Sequence, residues 1–97
     1  SQNIILETKM IEISPGVTPA LHYHPGPLYV YVINGELQVD YGSKGIKLFK
    51  EGASFVEAIN VCHAVSVVSK TPVQLFTVFI GDSTTDITTP RPCDALN

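Results

Sequence analysis

A chain of 97 residues makes one domain with a modest core, not two. Hydrophobic residues account for 44% and charged residues for only 15%, a globular composition that excludes intrinsic disorder. Six scattered basic residues against nine acids leave a net charge of -3, which argues against nucleic acid as a partner.

Helix signals are almost absent. Short apolar runs rich in Val, Ile, Tyr and Phe, punctuated by Gly, Pro and Asn, read as strands. In chain order the expected strands are Ile4–Ile13, Ala20–Tyr23, Leu28–Ile33, Glu36–Tyr41, Ile46–Phe49, Ser54–Val56, Val61–Val68 and Val73–Ile80. Asn34-Gly35, between "YVYVI" and "ELQVDY", reads as a type I′ hairpin turn, which needs positive φ at both positions. "GSKG" at Gly42–Gly45 reads as a second hairpin turn. The neighbouring Lys44, Lys47 and Lys50 read as a solvated, protected strand edge. Many short strands at regular spacing predict a barrel or sandwich.

"LYVYVI" and "VQLFTVFI" are apolar on both faces, whereas a strand with one face in water alternates. One side of these strands belongs to the barrel interior, and the other to a further sheet or a partner chain. A homodimer is the expectation. From Gly81 onward the periodicity is lost. Residues 1–97 thus read as a single domain in which 81–97 form an extended C-terminal arm, packed on the barrel or on a neighbour.

Cys62 and Cys93 are too few for a disulfide scaffold and lack CxxC spacing, so free thiols and a single bridge are both open. Cys62 is adjacent to His63 and therefore turns to the opposite face of a strand, as a small core or interface residue. No run approaches the length of a membrane span and none reads as a signal peptide. A cytoplasmic protein is the expectation, with a leader removed ahead of Ser1 left open.

The chain has only three histidines. His22 and His24, at i and i+2, project from one face of a strand roughly 7 Å apart at the backbone. Pro25 biases His24 to extended geometry. Two imidazoles so placed can converge on a metal at about 2.0–2.1 Å per nitrogen. His63 shares its face with Val61, Val65 and Val67, as a hydrogen-bonded core histidine would. Three inward histidines, with no others in the chain, favour a common site.

On these residues the chain resembles the cupin superfamily, whose first motif is G-x5-H-x-H-x3,4-E-x6-G. Gly16, His22, His24 and Gly35 fit that spacing, with Leu28 at the place of the acid. The second motif, G-x5-P-x-G-x2-H-x3-N, is met by Gly52 and His63, while Ala58, Asn60 and Val67 replace its Pro, Gly and Asn. The resemblance implies a small all-β cupin barrel, a jelly roll or double-stranded β-helix. It implies His22, His24 and His63 as ligands of a divalent metal, with the usual carboxylate missing. Three neutral imidazoles suit Zn, Ni, Cu, Co, Mn or Fe(II), and a three-histidine site keeps positions open for substrate or oxygen.

Glu57 lies six residues before His63, and small cupins with an H-x-H-P opening resemble this chain in an E-x2-N-x2-H segment. An inward Glu57 would be a fourth ligand, an acceptor for an imidazole N–H, or a catalytic base. An outward one would be a solvated loop residue. Asn60 reads as a turn residue. Tyr29 and Tyr31 take the parity opposite to Leu28, Val30 and Val32 and so face outward; Tyr23 turns away from the histidines. Two functions follow from the resemblance: a metal-dependent, dioxygenase-like enzyme on a small organic molecule, or a non-enzymatic module binding a small ligand or metal. An aliphatic wall of Leu28, Val30, Val32, Val65 and Val67 suits a small, mostly apolar ligand.

Overall fold

The computed structural model describes residues 3–97. Its strands are β1 (Ile4–Ile13), β2 (His22–Tyr23), β3 (Leu28–Asn34), β4 (Glu36–Asp40), β5 (Ile46–Lys50), β6 (Ser54–Val56), β7 (Ala64–Val67), β8 (Val73–Asp82) and β9 (Arg91–Pro92). A single 3-10 turn, Gly42–Lys44, joins β4 to β5. The all-β expectation is borne out. Among the described residues no helix is long and apolar enough to cross a membrane.

Two sheets face each other, a four-stranded one in the order β1-β8-β3-β6 and a three-stranded one in the order β5-β4-β7. Period-two alternation decides what lies between them. Leu28, Val30 and Val32 of β3, Val73, Leu75 and Phe79 of β8, Leu37 and Val39 of β4 and Val65 of β7 form the core. Tyr29 points outward from β3, and Tyr31 beside it is 38% exposed.

Asn34-Gly35 is not the hairpin expected from its sequence. β3 pairs with β6 and β8, while β4 pairs with β5 and β7, so the chain changes sheets at this point. Gly35 alone takes positive φ there (86°), and Asn60 is the sole non-glycine residue with positive φ among those described. A corner needs one left-handed residue and close packing, not a two-residue reversal. A Cβ at Gly35 would lie 2.9 Å from the Pro72 carbonyl oxygen. By contrast, Gly42–Gly45 does close the β4–β5 hairpin, with Tyr41 N–H donating to the Gly45 carbonyl at 2.9 Å.

The segment after β8 packs back on the barrel. Its strand β9 pairs with β2, His22 opposite Pro92 and Tyr23 opposite Arg91. Near the end, Ser43 N–H donates to the Asn97 carbonyl at 2.5 Å. Cys93 is joined to Cys62 in a disulfide. Of the two alternatives left open for the cysteines, the single bridge is the one found: Cys62 is buried, and its turn away from His63 meets the returning arm. No contact between neighbours in sequence announces such a pairing across 31 positions.

Candidate metal centre

The three histidines come together at one end of the space between the sheets. His22 lies on β2, and its backbone is bonded in both directions to that of His63 (3.4 and 2.9 Å). His24 follows one residue after β2, its carbonyl accepting from Asn60 N–H at 2.8 Å. The left-handed Asn60 (φ 60°) folds the β6–β7 connection so that it can reach both histidine-bearing segments. Ring centroids are 4.9 Å apart for His22–His24, 4.5 Å for His22–His63 and 5.1 Å for His24–His63. One ring nitrogen from each lies within 4.8 Å of the other two.

Second nitrogens set the tautomers. His22 Nδ1 sits 2.8 Å from the Ala20 carbonyl and His63 Nδ1 sits 3.0 Å from the Val61 carbonyl. A carbonyl only accepts, so each Nδ1 carries a proton, and in a neutral imidazole the lone pair is then on Nε2. His63 Nε2 and His24 Nδ1 are buried with no hydrogen-bond partner among the described residues. Such orphaned atoms are costly unless something coordinates them.

Glu57 is inward. It is 6% exposed, and its backbone N–H donates to the Leu28 carbonyl at 2.8 Å. The carboxylate thus sits one strand over from the place where the sequence motif has leucine instead of acid. Oε1 accepts a hydrogen bond from the buried Tyr41 hydroxyl, and Oε2 lies 3.6 Å from His63 Nε2. With its proton on Nδ1, His63 presents a lone pair on Nε2 to the Glu57 carboxyl group across that gap. Two ligands of one ion at about 2.0–2.2 Å each would stand roughly 3–3.5 Å apart.

Electrostatics point the same way. Burial, followed by the neighbouring His22 and His63, lowers the His24 pKa to about 3. Burial lowers His63 as well, against the pull of the Val61 carbonyl. Burial raises Glu57, although the Tyr41 hydroxyl and His22 oppose it. Burial thus favours the neutral imidazoles of His24 and His63 beside an acid that it discourages from ionising. A cation among them would relieve both conditions, and three imidazoles with a carboxylate fit a divalent transition metal.

A cavity of about 210 Å³ opens from this cluster. His22, His24 and Glu57 form its polar end, and Leu28, Val30 and Val65 are among its aliphatic walls. Pro90, from the returning arm, closes part of it. Val32 and Val67, also expected in the wall, do not line the cavity; Val32 is fully buried in the core and Val67 packs against it. Sequence reasoning missed Tyr41. Its signal was parity: Leu37, Val39 and Tyr41 share the inward face of β4 and its extension, and all three are buried.

A family model described as "Cupin domain" matches residues 9–79. Among solved structures, an oxalate decarboxylase from Bacillus subtilis with Mn(II) centres superposes with a TM-score of 0.71 and 22% identity, over 90% of this chain and 24% of that one. An RmlC-like cupin with a double-stranded β-helix fold from Methanocaldococcus jannaschii gives 0.72 and 18%, over 81% and 72%. An oxalate oxidase in complex with the substrate analogue glycolate gives 0.65 and 26%, over 76% and 41%. No curated protein sequence matches the chain. The chain spans about a quarter of the length of the oxalate decarboxylases it resembles.

Proposed function

The chain belongs to the cupin domain family, and from that premise we propose that it is a metal-dependent, dioxygenase-like enzyme acting on a small organic molecule. His22, His24, His63 and Glu57 hold the metal in this reading. The observation that carries it is the convergence of three histidine nitrogens within 4.8 Å of one another, with Glu57 Oε2 3.6 Å from the unpartnered His63 Nε2. A bound divalent ion would supply Lewis-acid activation of an oxygen-donor substrate and, as iron or copper, electron transfer to dioxygen. The protein's part is to orient and to exclude water. The Ala20 and Val61 carbonyls fix the imidazoles, and the aliphatic walls keep the cavity dry.

The oxalate enzymes that share the fold act on a small dianion. No lysine or arginine lines this cavity, so we assign a neutral or singly charged, largely apolar substrate instead. One observation favours a non-enzymatic ligand-binding module: with Glu57 on the metal, no other acid lines the cavity to serve as a base. Elemental analysis and oxygen uptake separate these readings. His24→Ala should lose at least about 100-fold in metal affinity while keeping its circular dichroism. Full metal content in that variant would overturn the site, and a metal-loaded protein that consumes no oxygen with any small enol or thiol would leave the binding module.

Two further proposals concern setting. The outward side chains of the four-stranded sheet form a homodimer contact. The Cys62–Cys93 disulfide favours an oxidising compartment over the cytoplasm expected from composition.

A further inference from the structure

Tyr41 enters the site from the end of β4 in the three-stranded sheet and belongs to neither motif. It is 5% exposed, follows β4 directly and is held by the β4–β5 hairpin: its N–H donates to the Gly45 carbonyl at 2.9 Å, and its own carbonyl accepts from Lys44 N–H at 3.3 Å. Its ring lies 5.6 Å from that of His63. Its hydroxyl donates to Glu57 Oε1, while Oε2 is the oxygen that faces His63 Nε2. The two oxygens of one carboxylate thus have different partners. A buried phenol is a rigid donor, with only two side-chain torsions to fix.

We infer that Tyr41 is a positioning residue that sets how Glu57 serves the metal. By occupying Oε1 it confines Glu57 to ligation through Oε2 alone. Four protein donor atoms, three imidazole nitrogens and one carboxylate oxygen, then leave positions open to an external ligand. A carboxylate free to turn would bring both oxygens to the ion and close one of them. This rests on the four-residue site proposed above.

The test uses Co(II)-loaded protein, its visible absorption spectrum and a titration with azide as external ligand. Tyr41→Phe keeps the ring and removes only the hydroxyl. It should shift the Co(II) bands and weaken azide binding at least about tenfold, within the range that loss of a ligand's supporting hydrogen bond produces. A merely structural role would lower the melting temperature and move neither readout. Co(II) bands and azide affinity equal to wild type would overturn the role of Tyr41. If Glu57→Gln changes the spectrum while Tyr41→Phe does not, that role alone falls. If neither does while His24→Ala abolishes Co(II) binding, Glu57 is not a ligand and both readings fall. Should the Phe variant not fold, resonance Raman of wild-type tyrosines with and without Zn(II) decides. A Glu57-dependent donor signal that survives loading supports the role, and its loss on loading overturns it.

Discussion

The two faces of the four-stranded sheet are built from the same kinds of residue and have opposite fates. Inward, Leu28, Val30, Leu75, Thr77 and Phe79 are buried and wall the cavity. Outward, the register sets Leu6 beside Ile80, Met10 beside Phe76, and Tyr29 between Val78 and Val56. Leu6, Met10 and Val56 are 67%, 68% and 65% exposed. A sheet face meant for water carries polar residues at such positions. Apolar composition therefore marks the core only where a second sheet covers it; on the outer face it is what the homodimer proposed above would cover. With strands about 4.8 Å apart and about 3.3 Å per residue, the face measures roughly 500 Å² in plan.

The sharpest contrast comes from truncating leucines on either side. Leu75→Ala, on the inner face, should cost about 2–5 kcal/mol in denaturant unfolding at any protein concentration. Leu6→Ala should cost less, and its cost should grow as the protein is concentrated, because a dimer contact stabilises by mass action. A concentration-independent effect of Leu6→Ala would make the outer face an ordinary surface. Next in size, Met10→Glu with Val56→Glu should give a monomer by light scattering at micromolar concentration while metal affinity stays as in wild type. A monomeric wild-type protein under those conditions would remove the dimer.

The smallest effect is one of pH and belongs to the inner face. His24 and His63 have folded-state pKa values below the ordinary 6.5, so the unfolded chain takes up protons before the folded one. Their neutral-state stability is fully present above about 6.5 and is lost as pH falls toward 3. Metal-free protein should therefore show a melting temperature that declines through that window, and His24→Ala should flatten the decline. An equal slope in both proteins would mean that His24 is not the group responsible.

Period and punctuation made most of the fold legible. β1 and β6 have the bounds expected from alternation, and the other predicted strands differ by a few residues at their ends. His22, His24 and His63 were legible because ligand spacing on a strand is local, and the family motif ties the distant third to the pair. Asn34-Gly35 misled, since a turn signal states that the chain bends and not which sheet it enters next. The disulfide and Tyr41 were out of reach for another reason. Cys62–Cys93 and Tyr41–Glu57 are contacts between residues that flank strands of different sheets, and they meet only after those sheets have formed.

The pairing of β1 with β8 along all ten of their residues carries a kinetic consequence. Thr77 donates to the Lys9 carbonyl across 68 positions of sequence, so β1 must wait until β8 has been made before its ladder can close. Folds ruled by such distant pairings reach the native state in milliseconds to seconds, not microseconds. Throughout that interval Leu6 and Met10 lie on an open edge. β1 itself carries three charges, Glu7, Lys9 and Glu12, and charged side chains on an edge strand oppose premature association while its partner strand is still being made.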